Sequence, residues 1–197
     1  QYSTAMGYLI YVQSEPDISI ESLNPNLGTF VLGDSGEPKD TMGILSRCRD
    51  SRLEIIQKLK MKNPTSTIHT LGEGADISDL NASEIQLYKG TLKNRDLLKR
   101  ALSELEKEEP NHESIGQLLS DHHQVLRDVL QASTPKIETM MDAASNAGAL
   151  GGKINGSGGG GCMFAYSPEF PEKVAEAVES VGGKAYIIQS DEGTKLN

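Results

Sequence analysis

A glycine-rich stretch near the C-terminus constrains this chain more than any other feature of its sequence. Seven of the eleven residues from Gly151 to Gly161 are glycine, and the stretch runs directly into the apolar segment 162–166. Glycine adopts positive φ without steric cost, and successive amide groups in such a loop can form an anion-binding concavity. A flexible linker has a similar composition, but a linker does not usually lead straight into a buried strand. We therefore predict a packed or ligand-binding loop.

Two familiar phosphate-binding motifs do not fit this stretch. A P-loop ends in Gly-Lys-Ser/Thr, whereas Gly161 is followed here by Cys162. The dinucleotide-binding fingerprint runs from strand to loop to helix, whereas this loop precedes a strand. A phosphate site at this loop would therefore belong to a different architecture.

Hydrophobic patterning over the rest of the chain predicts an α+β fold. Strands are predicted at 8–12, 18–23, 29–32, 162–166 and 184–189. Helices are predicted from Asp40 or Thr41 to near Lys62 and at 82–107, 111–131, 135–147 and 169–181. We expect the first three strands to form a meander and residues 63–80 to form a loop. The elements together predict one antiparallel sheet with a layer of helices packed on it.

The composition narrows the functional classes. A chain of 197 residues fits one ordinary domain, and its 28 acidic against 19 basic residues give a formal net charge of −9. Without a basic stripe such a chain repels nucleic acid, and its sequence predicts no membrane span. Cys48 and Cys162 have no metal-ligand spacing and no secretory segment is recognisable, so we expect a cytoplasmic protein.

The glycine-rich stretch also carries a family resemblance. The segment 152–162, Gly-Lys-Ile-Asn-Gly-Ser-Gly-Gly-Gly-Gly-Cys, resembles the third conserved motif of the GHMP kinases. The segments 133–135 and 148–151 resemble the approach to that motif in galactokinase-like members. The segments 32–35 and 39–41 are similar to the strand end and helix start that these kinases place near the substrate cleft.

The resemblance implies a fold and an activity for residues 1–197. The fold would be the C-terminal, ferredoxin-like domain of a GHMP kinase, with the N-terminal ATP-binding half absent from the chain. The complete enzyme would use ATP and Mg²⁺ to phosphorylate a hydroxyl group of a sugar, with galactose ranked above mevalonate because of the Ser-Thr-Pro segment and the Met/Gln-type opening. Two alternatives stay open: a non-catalytic sugar and ATP sensor, and a free-standing ligand-binding module.

The resemblance also assigns site residues. The backbone amides of the loop, and the Ser157 side chain, would line the triphosphate site; the residues concerned are Gly156, Ser157, Gly158, Gly159, Gly160 and Gly161. The alternative is that these glycines only permit close packing. No catalytic residue or metal ligand of the chain itself is predicted, because the family's aspartate is expected just before Gln1. The chain alone should then be inactive, its main partner would be its N-terminal half, and exposed apolar surface could make it a homodimer.

Weaker candidates each have an ordinary structural explanation. Asp34 and Ser35 could hold a sugar hydroxyl, or could form a turn before Gly36. Lys39 could face phosphate, or could simply be an exposed lysine. The arginines of the following helix could contact substrate or form surface salt bridges; they are Arg47, Arg49 and Arg52.

The histidine pair His122 and His123, next to Asp121, suggests a metal or acid–base site. Neighbouring side chains on a helix diverge by about 100°, so they cannot converge on one ion without a third partner. We predict a solvated or half-packed pair. Cys162 is predicted to have a structural role in its strand.

Overall fold

A computed structural model describes residues 2–14, 17–65, 67, 70–72 and 74–194. The strands are β1 (Leu9–Gln13), β2 (Ser19–Leu23), β3 (Thr29–Asp34), β4 (Gly151–Ile154), β5 (Cys162–Tyr166) and β6 (Lys184–Gln189). The α-helices are α1 (Tyr2–Met6), α2 (Thr41–Leu45), α3 (Ser51–Lys62), α4 (Ala82–Leu105), α5 (His112–Asp128), α6 (Pro135–Asn146) and α7 (Pro171–Ser180). A π-helical turn over Ser46–Asp50 joins α2 to α3.

The main sheet has four antiparallel strands in the order β4-β5-β3-β6. Along the chain, β3 is followed by helices, β4, β5, the helix α7 and β6, which is the β-α-β-β-α-β order of a ferredoxin-like fold. The predicted α+β class, with helices packed on an antiparallel sheet, is therefore confirmed.

The predicted meander of the first three strands is wrong. β1 and β2 pair only with each other among the described strands, whereas β3 lies between β5 and β6. The reason lies in the side chains: Val31 on β3 is fully buried and faces the helices, while both faces of β1 are at least partly exposed. β3 therefore belongs to the sheet that packs on the helices, whereas β1 and β2 do not.

The core lies between one face of this sheet and helices α6 and α7. Its fully buried members are Val31, Ile137, Met140, Ile154, Met163, Val174 and Val178. Gly33 on β3 faces the same core, and a Cβ there would lie 2.7 Å from Cε of Met140. A second cluster, which includes Ile55, Leu59, Tyr88 and Leu92, packs α3 against α4.

Polar caps define the starts of the long helices. Asn81 and Glu84 form a reciprocal capping box at α4, Asn111 caps α5, and Thr134 caps α6 in front of Pro135. The predicted ends of these helices extend a few residues too far. The single helix predicted after Asp40 is interrupted by the π-helical turn. β4 lies where the sequence predicts only a glycine-rich loop. Among the described residues, no helix combines the length and the apolar character needed to cross a membrane.

Candidate phosphate-binding loop

The glycine-rich loop connects β4 to β5 and has a left-handed backbone along most of its length. Glycines 156, 158, 159, 160 and 161 have φ values of +72°, +82°, +72°, +109° and +75°. Residues with a side chain rarely adopt this conformation, so the local backbone geometry itself requires glycine.

Close packing requires glycine at two of these positions as well. A Cβ on Gly158 would overlap the carbonyl oxygen of Ala132, and one on Gly160 would lie 2.6 Å from that of Pro38. Both obstacles are backbone atoms, which cannot rotate away. The packing role predicted as one alternative is therefore present in the structure.

The amide groups of the loop divide into two sets. Gly159 donates to the carbonyl of Ala132 at 2.7 Å and Gly161 donates to that of Glu37 at 3.0 Å, which anchors the loop. The amides of Gly156, Ser157 and Gly160 donate to no acceptor among the described residues. An anchored loop with free amides has the character of an anion-binding concavity, so contact with phosphate stays a prediction for this second set.

Lys39 lies beside this loop, a proximity that the sequence could not show. Its side chain runs along Gly161, and its Nζ is 3.5 Å from the carbonyl oxygen of Asn155 at the loop's start. The next residue, Asp40, donates its amide to Gly159 at 3.1 Å. The ammonium group of Lys39 therefore lies at the start of the loop, next to Gly156.

Asp34 and Ser35 both form structural hydrogen bonds. Oδ1 of Asp34 accepts the Gly36 amide at 2.9 Å, which is the turn predicted as the alternative. Ser35 donates both its amide, at 2.9 Å, and its hydroxyl, at 2.6 Å, to the carbonyl of Gly161. Ser35 thus holds the end of the glycine loop; contact of either residue with a substrate stays a prediction.

The three arginines are directed to protein groups. Arg47 donates to the carbonyls of Leu130 and Gln131 at 3.2 and 2.9 Å, and Arg52 donates to that of Cys48 at 2.7 Å. Only Arg49 has the predicted salt bridge, to Asp50 at 2.8 Å. Ordinary structural roles therefore explain all three.

The prediction of a solvated or half-packed pair is wrong for His123, which is 5% exposed and hydrogen-bonded on both ring nitrogens. Helix α5 is covered from several sides, which its own sequence does not reveal. His122 is half-buried, and burial lowers its pKa to about 4.

Cys162 is half-buried at the start of β5, where it pairs with Asp34. Within the described ranges no three potential ligands converge on a metal position.

Comparison with known proteins extends these observations. Residues 92–184 match the family model for the C-terminal region of GHMP kinases. The chain is 33% identical to mevalonate kinase of Thermococcus gammatolerans over 165 residues, which cover 83% of the chain and 41% of that protein. It is 28% identical to galactokinase of Clostridium perfringens over 144 residues, which cover 63% of the chain and 37% of that protein. The chain thus spans less than half the length of these relatives.

A solved structure shows the same fold. Lactococcus lactis galactokinase complexed with galactose superposes with a TM-score of 0.74 at 19% identity, covering 92% of this chain and 50% of that one. The sheet order, the glycine loop and the family match agree with one another. Residues 92–184 therefore match the C-terminal region of the GHMP kinases in sequence, and the chain has the fold of this galactokinase.

Proposed function

We propose that this chain is the C-terminal half of an ATP-dependent kinase that transfers the γ-phosphoryl group of ATP to a hydroxyl group of a small metabolite. The observation that carries the proposal is the anchored glycine loop, with the free amides of Gly156, Ser157 and Gly160 and with the ammonium group of Lys39 next to Gly156. The curated relatives, which are kinases about twice as long as this chain, support it.

Phosphoryl transfer depends on positioning the reactants and neutralising charge more than on covalent chemistry of the protein. Amides fixed by a rigid backbone can stabilise phosphate oxygens without reorganising during the reaction. The loop would hold the phosphates of ATP and Lys39 would contribute positive charge. The base that accepts the hydroxyl proton is expected outside this chain. Mg²⁺ would neutralise phosphate charge when bound with ATP, and we assign it no ligand among the described residues.

The acceptor has two candidates. Mevalonate is favoured by the 33% identical relative, whose match covers most of the chain. The sequence ranks galactose first because of the Ser-Thr-Pro segment and the Met/Gln-type opening. The segment has a structural role, in which Thr134 caps α6 and Ser133 donates to Glu138. This role accounts for the segment without any contact to an acceptor. Galactose stays the second candidate because of the galactokinase relative.

An ADP-release assay of the full-length protein tests the proposal, with mevalonate and galactose supplied separately. We expect turnover with one of them, and Lys39→Gln should raise the KM for ATP by about 10- to 150-fold, since a hydrogen bond to a charged group contributes about 1.5–3 kcal/mol. Lys60→Gln, a substitution of an exposed lysine on α3, is the matched control and should leave the KM unchanged. ATP binding without turnover would favour the sensor, and no ATP binding would refute the phosphate site.

A further inference from the structure

His123 connects helix α5 to the strand end from which the glycine loop departs. Its Nδ1 lies 3.2 Å from the amide nitrogen of Ile154, the last residue of β4. Its Nε2 lies 3.0 Å from Oε1 of Glu138, in the first turn of α6. A backbone amide can only donate, so Nδ1 must accept and carries no proton. His123 is therefore fixed as the neutral tautomer that carries its proton on Nε2 and donates it to Glu138.

The position of β4 explains why this bond matters. β4 is an edge strand, so its outward amides have no neighbouring strand to bind. The Ile154 side chain is fully buried, and an unpaired buried amide is costly. His123 supplies the missing acceptor. On the other side of the strand end, the Asn155 amide donates to the carbonyl of Cys162 at 2.9 Å, and the left-handed loop begins directly afterwards.

We propose that His123 is a positioning residue for the glycine loop: in its neutral form it holds the Ile154 amide, and protonation of its Nδ1 releases that strand end. Protonated Nδ1 and the Ile154 amide would both be donors, so their hydrogen bond could not form. The effect on ATP binding rests on the proposed function, whereas the effect on the strand end does not.

Burial favours the neutral form of His123 at pH 7, because it lowers the pKa of this residue. Glu138 on α6 raises that pKa through its charge and its hydrogen bond, and the charges of Arg127 on α5 and Lys153 on β4 lower it to a smaller extent. Glu138 does not depend on His123 alone, because it also accepts from Ser133 and, at 3.2 Å, from Arg127. His122, the neighbouring residue on α5, is neutral at pH 7 because burial lowers its pKa to about 4.

Two substitutions separate the two nitrogens. In His123→Asn the amide oxygen can take the place of Nδ1 and accept from Ile154, with no partner left for Glu138. In His123→Gln the longer amide can reach Glu138, but it leaves the Ile154 amide without an acceptor. Both variants lack the imidazole ring and have no group that titrates in its place. A difference between them in the exchange of the Ile154 amide therefore reports the hydrogen bond that Nδ1 accepts.

The experiment is amide hydrogen exchange of Ile154 and Asn155, measured by NMR on the chain, together with a long-range ¹H–¹⁵N spectrum of the wild-type histidines. We expect the Nε2-protonated tautomer, and Ile154 exchange about five- to tenfold faster in His123→Gln than in His123→Asn, the effect of one net hydrogen bond. The exchange rates are corrected for the intrinsic pH dependence of amide exchange. The protection of the Ile154 amide in the wild type should then fall as the pH drops through the pKa of His123, whereas its protection in His123→Asn should not change.

An Nδ1-protonated tautomer would overturn the proposal, and so would equal exchange in the two variants. The spectrum uses only wild-type protein, so the test does not depend on either variant folding. In the full-length protein, His123→Gln should raise the KM for ATP more than His123→Asn does. If the proposed function is wrong, no variant will respond to ATP, while the exchange difference will persist.

Discussion

The ferredoxin-like body and the N-terminal segment of this chain are built in opposite ways. The body consists of β3–β6 with α6 and α7, and the N-terminal segment consists of α1, β1 and β2. The body completely buries the seven apolar side chains of the core and the Tyr166 side chain. In the N-terminal segment Leu23 alone is a buried apolar side chain among the described residues. Several large apolar or aromatic side chains are exposed there, namely Tyr2, Met6, Tyr8, Val12 and Ile18.

Hydrogen bonds to the chain's last described residues hold the N-terminal segment in place. The Tyr8 amide donates to the carbonyl of Asp191 at 2.6 Å, and the Thr194 amide donates to that of Thr4 at 2.9 Å. Regions with few buried apolar contacts open at a lower free energy than a core does. From this difference we expect the loop and its supports to belong to a stable unit, and the N-terminal segment to open without unfolding that unit.

The largest expected effect comes from truncating the core of the body. Met140→Ala removes a fully buried side chain that contacts β3 and α7, and should lower the free energy of unfolding by about 2–5 kcal/mol. Val12→Ala in the N-terminal segment, at a side chain that is 42% exposed, should change it by at most about 0.5 kcal/mol. Urea unfolding followed by circular dichroism measures both. Equal losses would show that the two regions unfold together.

The second prediction compares two glycines with similar backbones. Gly158 in the loop and Gly7 after α1 have φ values of +82° and +73°, and a Cβ on either would overlap backbone atoms. Gly158→Ala should lower the free energy of unfolding by more than the left-handed backbone strain alone, which is about 1–2 kcal/mol. The reason is that the backbone atoms around Gly158 cannot move away. Gly7→Ala should cost less in global unfolding, because the N-terminal segment can detach.

Gly36→Ala is the control for strain without a clash. Its φ is +71° and no atom lies within 4 Å of the added Cβ, so it should cost about 1 kcal/mol. A Gly7→Ala cost as large as that of Gly158→Ala would contradict the division into two regions.

Much of the body was predictable from the sequence, because its patterns are local. β5 and β6 lie where predicted, since each is a short apolar run bounded by glycine or polar residues. The sequence does not predict β4, because Gly151 and Gly152 are typical of a loop. The structure shows why this strand needs glycine: a Cβ on Gly151 would overlap the carbonyl of Gly116 on α5. That requirement comes from tertiary packing, which periodicity does not contain.

The candidate site divides in the same way. The glycine loop was recognisable from composition and motif, whereas the position of Lys39 beside it depends on how α2 approaches the loop. The burial of His123 likewise depends on β4 and α6, which come later in the chain. Neither contact can be predicted from the local hydrophobic pattern of the sequence.

The third prediction uses pH to separate the regions. Burial lowers the pKa of His122 to about 4 from 6.5, so the folded state binds its proton less readily than the unfolded state does. The contribution of His122 to stability is therefore fully present above pH 6.5 and is lost as the pH falls through 6.5 towards 4. Residues 2–23 contain no histidine and should show no such change.

His122→Asn tests this assignment. Urea unfolding of the variant should depend less on pH between 7.5 and 4.5 than unfolding of the wild type does. An unchanged pH dependence would assign it to other groups. Hydrogen exchange of β1 amides, corrected for intrinsic rates, should keep the same protection in both proteins.

The smallest expected effect concerns one hydrogen bond of the N-terminal segment. The Thr194 hydroxyl donates to the carbonyl of Thr4 at 3.1 Å in an exposed position. Thr194→Val should make the Gly7 and Tyr8 amides exchange a few-fold faster, because one net hydrogen bond contributes about 0.5–1.5 kcal/mol, while urea unfolding stays unchanged. Thr139→Val removes a comparable exposed bond, to the carbonyl of Pro135 within α6, and should leave those amides unaffected. If Thr194→Val lowered global stability instead, the N-terminal segment would be part of the cooperative unit that contains the loop.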